Sequence, residues 1–351
     1  MVVRMRDVAQ AAGVSIATVS LALSGSPRIP ANTRERVIGV AELMRFRPHA
    51  GARSLRTEVT GSLGLVVSDV ANPFFAELAG EIQRFAEARG FSIVLCNSDE
   101  DARRQDEYLH SLLAGSRVDG VMLVPAAAMT PGLEAAGTAR SRLVFLDRPV
   151  VVSGEGPAAS HLAACPVVRC EASAALSDAA QLLTELGHRR VGIIAPPLET
   201  RVGIERRDLI IQSLTDLGVA PSDITVVAGD FRQDSGERAV TQLLNAKQRP
   251  TAIFGADGLM TIGAMKGLRR AGLRVPHDVS LIGFDDAPWF DLFDPPLTAV
   301  AQPIARLAAA AVQAMVHLVE GSAAAPDSVD ATPPCHLVRR DSCGPARPSL
   351  P

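Results

Sequence analysis

The chain has 351 residues, with 35 Lys and Arg against 38 Asp and Glu and a formal net charge of −3. That length is too great for one small domain and calls for two or three compact units. Five cysteines (Cys96, Cys165, Cys170, Cys335, Cys343) are odd in number and irregularly spaced, which excludes a disulfide framework. Arg4, Arg6 and Asp7 argue against a signal peptide, and no apolar run reaches membrane-spanning length, so a soluble cytoplasmic protein is expected.

The charge is uneven. Residues 1–60 hold nine Arg against four Asp and Glu, about +5, which leaves about −8 on the remainder. A basic head on an acidic body suits phosphate neutralisation; a merely solvated surface gives no reason for the sign to change at one point.

The head opens with MRDVAQAAGVSIATVSLALSG, Met5 to Gly25. Val8, Ala9 and Ala12 fall on one face of a short helix. Gly13 follows where a sharp turn needs positive φ, and Ser15 is placed to cap a second helix. Val19 and Leu23 continue the buried face, with small Ala9 opposite Val19 for a close crossing. Ile16, Ala17 and Leu21 then point outward toward a major groove, with Ser15, Thr18 and Ser20 set for phosphate contacts. An ordinary helical hairpin gives the same local pattern. Ile29 to Pro48 supplies a third helix with Val37, Val40, Ala41 and Met44 at helical spacing.

After a connector, Arg47 to Thr57, strands and helices alternate. Strands are expected at Leu63–Val67, Ser92–Asn97, Gly120–Pro125 and Leu143–Leu146, with helices at Phe74–Arg89 and Gln105–Leu113. Val150 to Arg169, rich in Gly, Ala, Ser and Pro, is expected to be a loop. The alternation restarts with helices at Ala174–Leu186, Arg206–Leu217, Gly236–Leu244 and Leu259–Ala271. Strands accompany them at Arg190–Ala195, Thr225–Ala228, Ala252–Gly255 and Val279–Phe284, and a last helix at Ala301–Glu320. Such βαβ alternation predicts doubly wound parallel sheets.

The chain resembles the lactose-repressor (LacI/GalR) family of bacterial transcription regulators. In the head the match is carried by Asp7-Val8-Ala9, Ala12-Gly13-Val14-Ser15, Thr18-Val19-Ser20, Thr33-Arg34-Glu35-Arg36-Val37 and Arg53-Ser54-Leu55. In the body it is carried by GLVVSDVANPFFAEL, LLTELGHRRVGII, TAIFGADGLMTIGAMKGLRRAGLRVPHDVSLIGFDD and DPPLTAVAQP. The resemblance implies a small all-α helix-turn-helix head plus a periplasmic-binding-protein-like α/β sensor of two doubly wound, Rossmann-like subdomains. It places the head at 1–46, a hinge helix or linker at 47–60 and the sensor at 61–341, with a tail at 342–351. One subdomain would hold about 61–165 and 292–322, the other about 166–291 and 323–341. The implied partners are a pseudo-palindromic operator duplex, a small-molecule effector (a sugar or related metabolite) and a second copy in a homodimer, with no membrane and no cofactor or metal.

Carried over residue by residue, DNA contacts fall to Ser15, Ile16, Ala17, Thr18, Ser20, Leu21 and Thr33, and in the hinge to Arg53, Ser54 and Leu55, with Leu55 as a minor-groove wedge. Leu21 stands where arginine is common, Gly51 where alanine is usual and His49 where asparagine is usual. Effector contacts fall to Asp69, Asn72, Phe74, Arg206, Asp257, Asp285 and Trp289. Asp257-Gly258 replaces an Asn-Asp pair, and Glu171-Ala172 an Asp-Asn pair, which leaves open a degenerate or repurposed effector site. Asp69, Asn72 and Asp285 could equally cap strand ends, and Trp289 pack at the crossover. A solute-binding protein would have no basic head. For an enzyme there is no G-x-G-x-x-G, P-loop or G-x-S-x-G, and His188 is the nearest candidate base. His161, Cys165 and Cys170 lack the spacing of a metal site.

Overall fold

The computed structural model describes residues 3–23, 26, 28–46, 60–115, 117–152, 154–321 and 332–347. The chain divides into two compact units, residues 1–60 and 61–351.

In the first unit α1 (Met5–Ala12), α2 (Ile16–Leu23) and α3 (Ala31–Leu43) pack pairwise. Gly13 ends α1 in the left-handed region at φ 64°, where a Cβ would be strained. The Ser15 hydroxyl accepts the Thr18 amide at 3.1 Å and caps α2. Val8, Ala9, Ala12, Val19, Val37 and Ala41 close on one core, joined by Ala22 and Phe46, with Leu23, Val40 and Met44 half-buried around it. Arg34 reaches back from α3 to the carbonyls of Ser26 (2.7 Å) and Ile29 (3.3 Å), fastening the preceding loop.

The second unit is α/β throughout. Its first sheet holds β1 (Ser62–Val67), β2 (Ser92–Asn97), β3 (Val121–Leu123), β4 (Leu143–Leu146) and β5 (Val167–Val168), all parallel, in the order β2-β1-β3-β4-β5. Helices α4 (Pro73–Glu87), α5 (Ala102–Leu113), α6 (Pro131–Thr138) and α7 (Pro157–Ala163) connect the strands. The second sheet runs β11-β10-β9-β8-β6-β7. It comprises β6 (Val191–Ala195), β7 (Ile224–Ala228), β8 (Ala252–Gly255), β9 (Ser280–Phe284), β10 (Thr298–Ala301) and the antiparallel edge β11 (His336–Val338). Its helices are α8 (Ser173–Glu185), α9 (Arg201–Asp216), α10 (Gln233–Leu244) and α11 (Gly258–Arg270), while α12 (Ile304–Glu320) packs on α4 in the first half. The central strands are continuous apolar runs because helices cover both faces of a parallel sheet.

Three expectations need correction. The Val150–Arg169 segment is not all loop: it contains α7 and the edge strand β5, and Leu162 and Cys165 are buried against Leu133 and Phe145. Pro157 at the first helical position is the signal that marks α7. Residues 292–303 stay with the second half, since β10 pairs in parallel with β9; the chain crosses only after Ala301, beside Pro303. Finally, residues 342–346 are no tail. Ser342 is fully buried and exchanges hydrogen bonds with Leu281, and the Ala346 amide donates to Leu186 O.

Candidate nucleic-acid interface and ligand cleft

The exposed face of α2 starts at its cap. Ser15 Oγ and Thr18 Oγ1 lie 2.8 Å apart, so the hydroxyl pair sits over the first-turn amides of α2. Ile16 (52 % exposed) and Ala17 face solvent, whereas Thr18, Ser20 and Leu21 are half-buried. This face offers methyl groups and hydroxyls, and the exposed Arg4, Arg6, Arg28 and Arg36 supply cations to the same unit. Thr33 is half-buried in the first turn of α3, and its amide meets Asn32 Oδ1 at 2.7 Å. Arg53, Ser54 and Leu55, with His49 and Gly51, lie outside the described residues.

In the second unit the carboxyl ends of parallel strands from both halves meet across a cleft, the position where open α/β sheets bind ligands. Five non-glycine residues just past those ends have left-handed backbones: Asp99 (φ 57°), Glu100 (58°), Asp147 (60°), Phe231 (62°) and Asp285 (65°). Each such residue costs of order 1–3 kcal/mol, so the surrounding packing holds them there.

Charged side chains close the cleft. Arg232, from the second half, donates to Asp69 Oδ2 and Asp99 Oδ1 of the first, both at 2.7 Å. Arg148, from the first half, grips Glu100 with two 2.8 Å bonds and lays its guanidinium over Phe231 of the second half, 4.4 Å from the ring centre. Arg206 donates to Ala256 O at 3.0 Å, lies over Phe284 at 3.8 Å, and comes within 3.7 Å of Asp147 across the cleft. Gln302 Nε2 donates to Asp285 Oδ1 at 2.6 Å, and the Gly258 amide reaches Asp285 Oδ2 at 3.4 Å. Gly258 permits this approach, because a Cβ there would lie 3.1 Å from Asp285 Cβ. Asp257 caps α11 by accepting the Met260 amide at 3.0 Å. Burial, reinforced by the neighbouring Asp285 carboxylate, pushes the Asp257 carboxyl up to about 7; burial likewise raises Asp285.

Of the residues expected to bind an effector, Asp69, Arg206, Asp257 and Asp285 converge in the cleft. Asn72 caps α4 by accepting the Phe74 amide at 3.1 Å, and Phe74 is largely core; both also edge a small cavity. That cavity, of about 10 Å³, is bounded by Glu77, Gly258, Asp285, Asp286 and Gln302 and has room for about one water-sized group. Trp289 is 40 % exposed and lines neither this cavity nor the larger one. The larger cavity, of about 650 Å³, is walled by Asp147, Arg169, Cys170, Glu205, Arg206 and Phe284, a volume in the range of small-molecule sites. Asp99, Glu100, Asp147, Arg148, Phe231, Arg232 and Gln302 are the cleft residues that sequence reasoning passed over. Their signal was position, since Asp147-Arg148 directly follows an apolar strand.

His188 has a structural part. It is 2 % exposed, with Nδ1 2.8 Å from Thr251 Oγ1 and Nε2 3.0 Å from both Ser280 Oγ and Gly344 O. Burial holds its pKa below the usual value, which keeps the ring neutral.

Residues 4–49 match the bacterial regulatory proteins of the lacI family, and residues 180–343 match the periplasmic binding protein-like domain. Catabolite control protein A of Priestia megaterium is 33 % identical over 89 % of this chain and 91 % of its own length. The transcriptional repressor PurR of Proteus mirabilis is 34 % identical over 86 % of each chain. The chain belongs to the lacI family.

Solved structures agree with that membership. The lac repressor dimer bound to operator and the anti-inducer ONPF superposes with a TM-score of 0.81 at 26 % identity, covering 97 % of this lacI-family protein and 99 % of that chain. The regulator CelR in complex with cellobiose gives 0.70 at 30 % identity, covering 97 % and 99 %. The lacI-family protein is thus a bacterial transcription regulator with a helix-turn-helix head and a two-subdomain sensor. No described helix is long and apolar enough to cross a membrane.

Proposed function

We propose that this lacI-family regulator is a repressor that binds a pseudo-palindromic operator as a homodimer, in the cytoplasm, and is controlled by a small molecule taken between its two α/β halves. The observation that carries the reading is the joining, in one chain, of a capped three-helix head to a body whose halves are clamped at their strand ends by Arg232 on Asp69 and Asp99 and by Arg148 on Phe231. Relatives with these names and structures repress transcription, bind operator and hold sugar-like effectors.

In the head, Ile16, Ala17 and Leu21 meet the major groove, Ser15, Thr18, Ser20 and Thr33 hold phosphates, and Arg53, Ser54 and Leu55 engage the minor groove from the hinge. With no arginine at position 21, base choice rests on thymine methyls, on DNA shape and on the Leu55 wedge. In the sensor, Asp69, Arg206, Asp257 and Asp285 form the polar floor of the effector site. Opening or closing the cleft shifts the first halves of a dimer against each other and so governs whether the hinges pair on DNA, a coupling of typically about 1–3 kcal/mol. Nothing in this scheme calls for catalysis; His188 is committed to its three partners.

Selection from a randomised duplex library tests the reading. The protein should enrich a two-fold symmetric site, and Leu21→Arg should change the preferred base at one symmetric position. Failure to enrich any sequence over bulk DNA would overturn it.

A further inference from the structure

The charges at the strand ends do not balance. Asp69, Asp99, Glu100, Asp147, Asp257 and Asp285 face Arg104, Arg148, Arg206 and Arg232, six carboxylates to four guanidiniums. The guanidiniums are committed unevenly. Arg232 goes to Asp69 and Asp99, and Arg148 to Glu100. Arg206 gives its hydrogen bond to a backbone carbonyl, Ala256 O.

Among the described residues, Asp257 and Asp285 consequently receive no arginine hydrogen bond, although they are 3 % and 8 % exposed. Arg206 acts on both through charge alone, yet burial still raises both carboxyls, and buried carboxylates recover that cost by taking a proton or a further positive charge. A second, independent feature points the same way. Gln302 is 8 % exposed and lines the small cavity beside Asp285; its Nε2 serves Asp285, and its buried Oε1 has no hydrogen-bond partner among the described residues. The other walls of that cavity include Glu77 and Asp286, the latter already paired with Arg340. What this place lacks is a hydrogen-bond donor, and the charge around it favours a positive one. No set of three His, Cys, Asp or Glu among the described residues converges as metal ligands, which favours an organic cation over a metal ion. The volume admits a group the size of a water.

We propose that the effector of this cleft carries a primary ammonium group, which docks against Asp285 and Gln302 Oε1 beside Asp257. The proposal rests on the effector-controlled reading given above. It names the chemistry of the ligand: an amine-bearing small molecule, whether amino sugar, amino acid or diamine. A neutral sugar or a sugar phosphate lacks that chemistry.

Matched probes that differ only in the amine test it on the full-length protein: glucosamine against glucose, lysine against norleucine, and putrescine against 1,4-butanediol, with glucose 6-phosphate as the anionic control. The amine member of one pair should raise the melting temperature by several degrees at saturating concentration while its neutral partner does not, and the pair that responds identifies the source of the amine. Binding of an ammonium beside Asp257 also displaces that residue's proton. Affinity for the amine should therefore rise severalfold from pH 6 to pH 7, with Asp285, Arg206 and Arg148 the charged groups facing Asp257. In Asp285→Asn, a variant whose melting transition first confirms folding, the preference for the amine over its neutral partner should vanish. A neutral or anionic probe that stabilises as well as any amine would overturn the proposal, as would no response from any amine. Operator selection by the same preparation would still stand in either case, so loss of this inference is separable from loss of the regulatory reading.

Discussion

Replacing Arg232 by alanine should open the cleft. Arg232 makes two 2.7 Å charge-assisted bonds between the halves, to Asp69 and Asp99. Asp69 is 9 % exposed in its side chain, whereas Asp99 is 42 % and Arg232 itself 39 % exposed. Solvent therefore screens the Asp99 branch heavily and the Asp69 branch only in part, leaving the latter worth up to about 2 kcal/mol. A loss of about 2 kcal/mol lowers the closed-to-open ratio roughly 30-fold. Small-angle scattering of the ligand-free protein should show a larger radius of gyration for Arg232→Ala than for the unmodified chain. The unmodified chain should itself expand between low and high salt, because the latch is electrostatic, and the variant should respond less. Equal radii at every salt concentration would refute the idea that Arg232 holds the halves together, and would shift that role to Arg148 and Phe231.

Three further outcomes follow from the same contacts. Asp257→Asn keeps the cap on α11 and removes a buried carboxyl whose folded pKa, about 7, lies above its ordinary 3.8. Stability from that group is present below about pH 3.8 and lost as pH rises through 7, so the variant's gain in melting temperature should grow toward pH 7 and then level off. His188 shifts the other way: its folded pKa lies below 6.5, so its contribution is present above 6.5 and lost as pH falls toward the depressed value. His188→Gln should flatten the fall in melting temperature between pH 7.5 and 5.5, and an unchanged slope would rule His188 out as its source. Ser15→Ala removes the α2 cap and should cost the head about 1 kcal/mol, read by amide exchange in residues 16–23, with the second unit unaffected.

Much of the fold was legible because local rules agreed with global packing. The apolar runs at Leu63–Val67 and Leu143–Leu146, alternating with helical segments, read as buried parallel strands, and Gly13 and Ser15 announced the turn in the head. The errors came where composition outvoted geometry. Gly154, Gly156 and the alanines near them suggested a loop, yet Pro157 begins a helix that Gly137 lets approach closely, since a Cβ on Gly137 would lie 2.9 Å from Ala158 O. The site was legible only in part. Arg206, Asp257 and Asp285 follow or cap recognisable elements, but Arg232 meets Asp69 across 163 residues of sequence, and no local pattern encodes such a pairing. Asn72 shows the opposite limit, because the same side chain that resembles a ligand contact is also the cap that starts α4.

The route of the chain between the halves also governs the order in which they can form during synthesis. The first sheet is complete in strands by Val168, but α12, from Ile304 to Glu320, supplies Leu307, Ala308, Ala311, Val312 and Met315 to its core. The second sheet waits longer still, for β10, β11 and the Ser342–Gly344 segment that joins Leu281, Ser280 and His188. A nascent chain halted before residue 300 therefore lacks the α12 share of this core and leaves the face of α4 that α12 covers open, the condition under which chaperones are recruited. The head has no such dependence. Its three helices and their core are contained in residues 3–46, so it can be folded while neither half of the sensor exists.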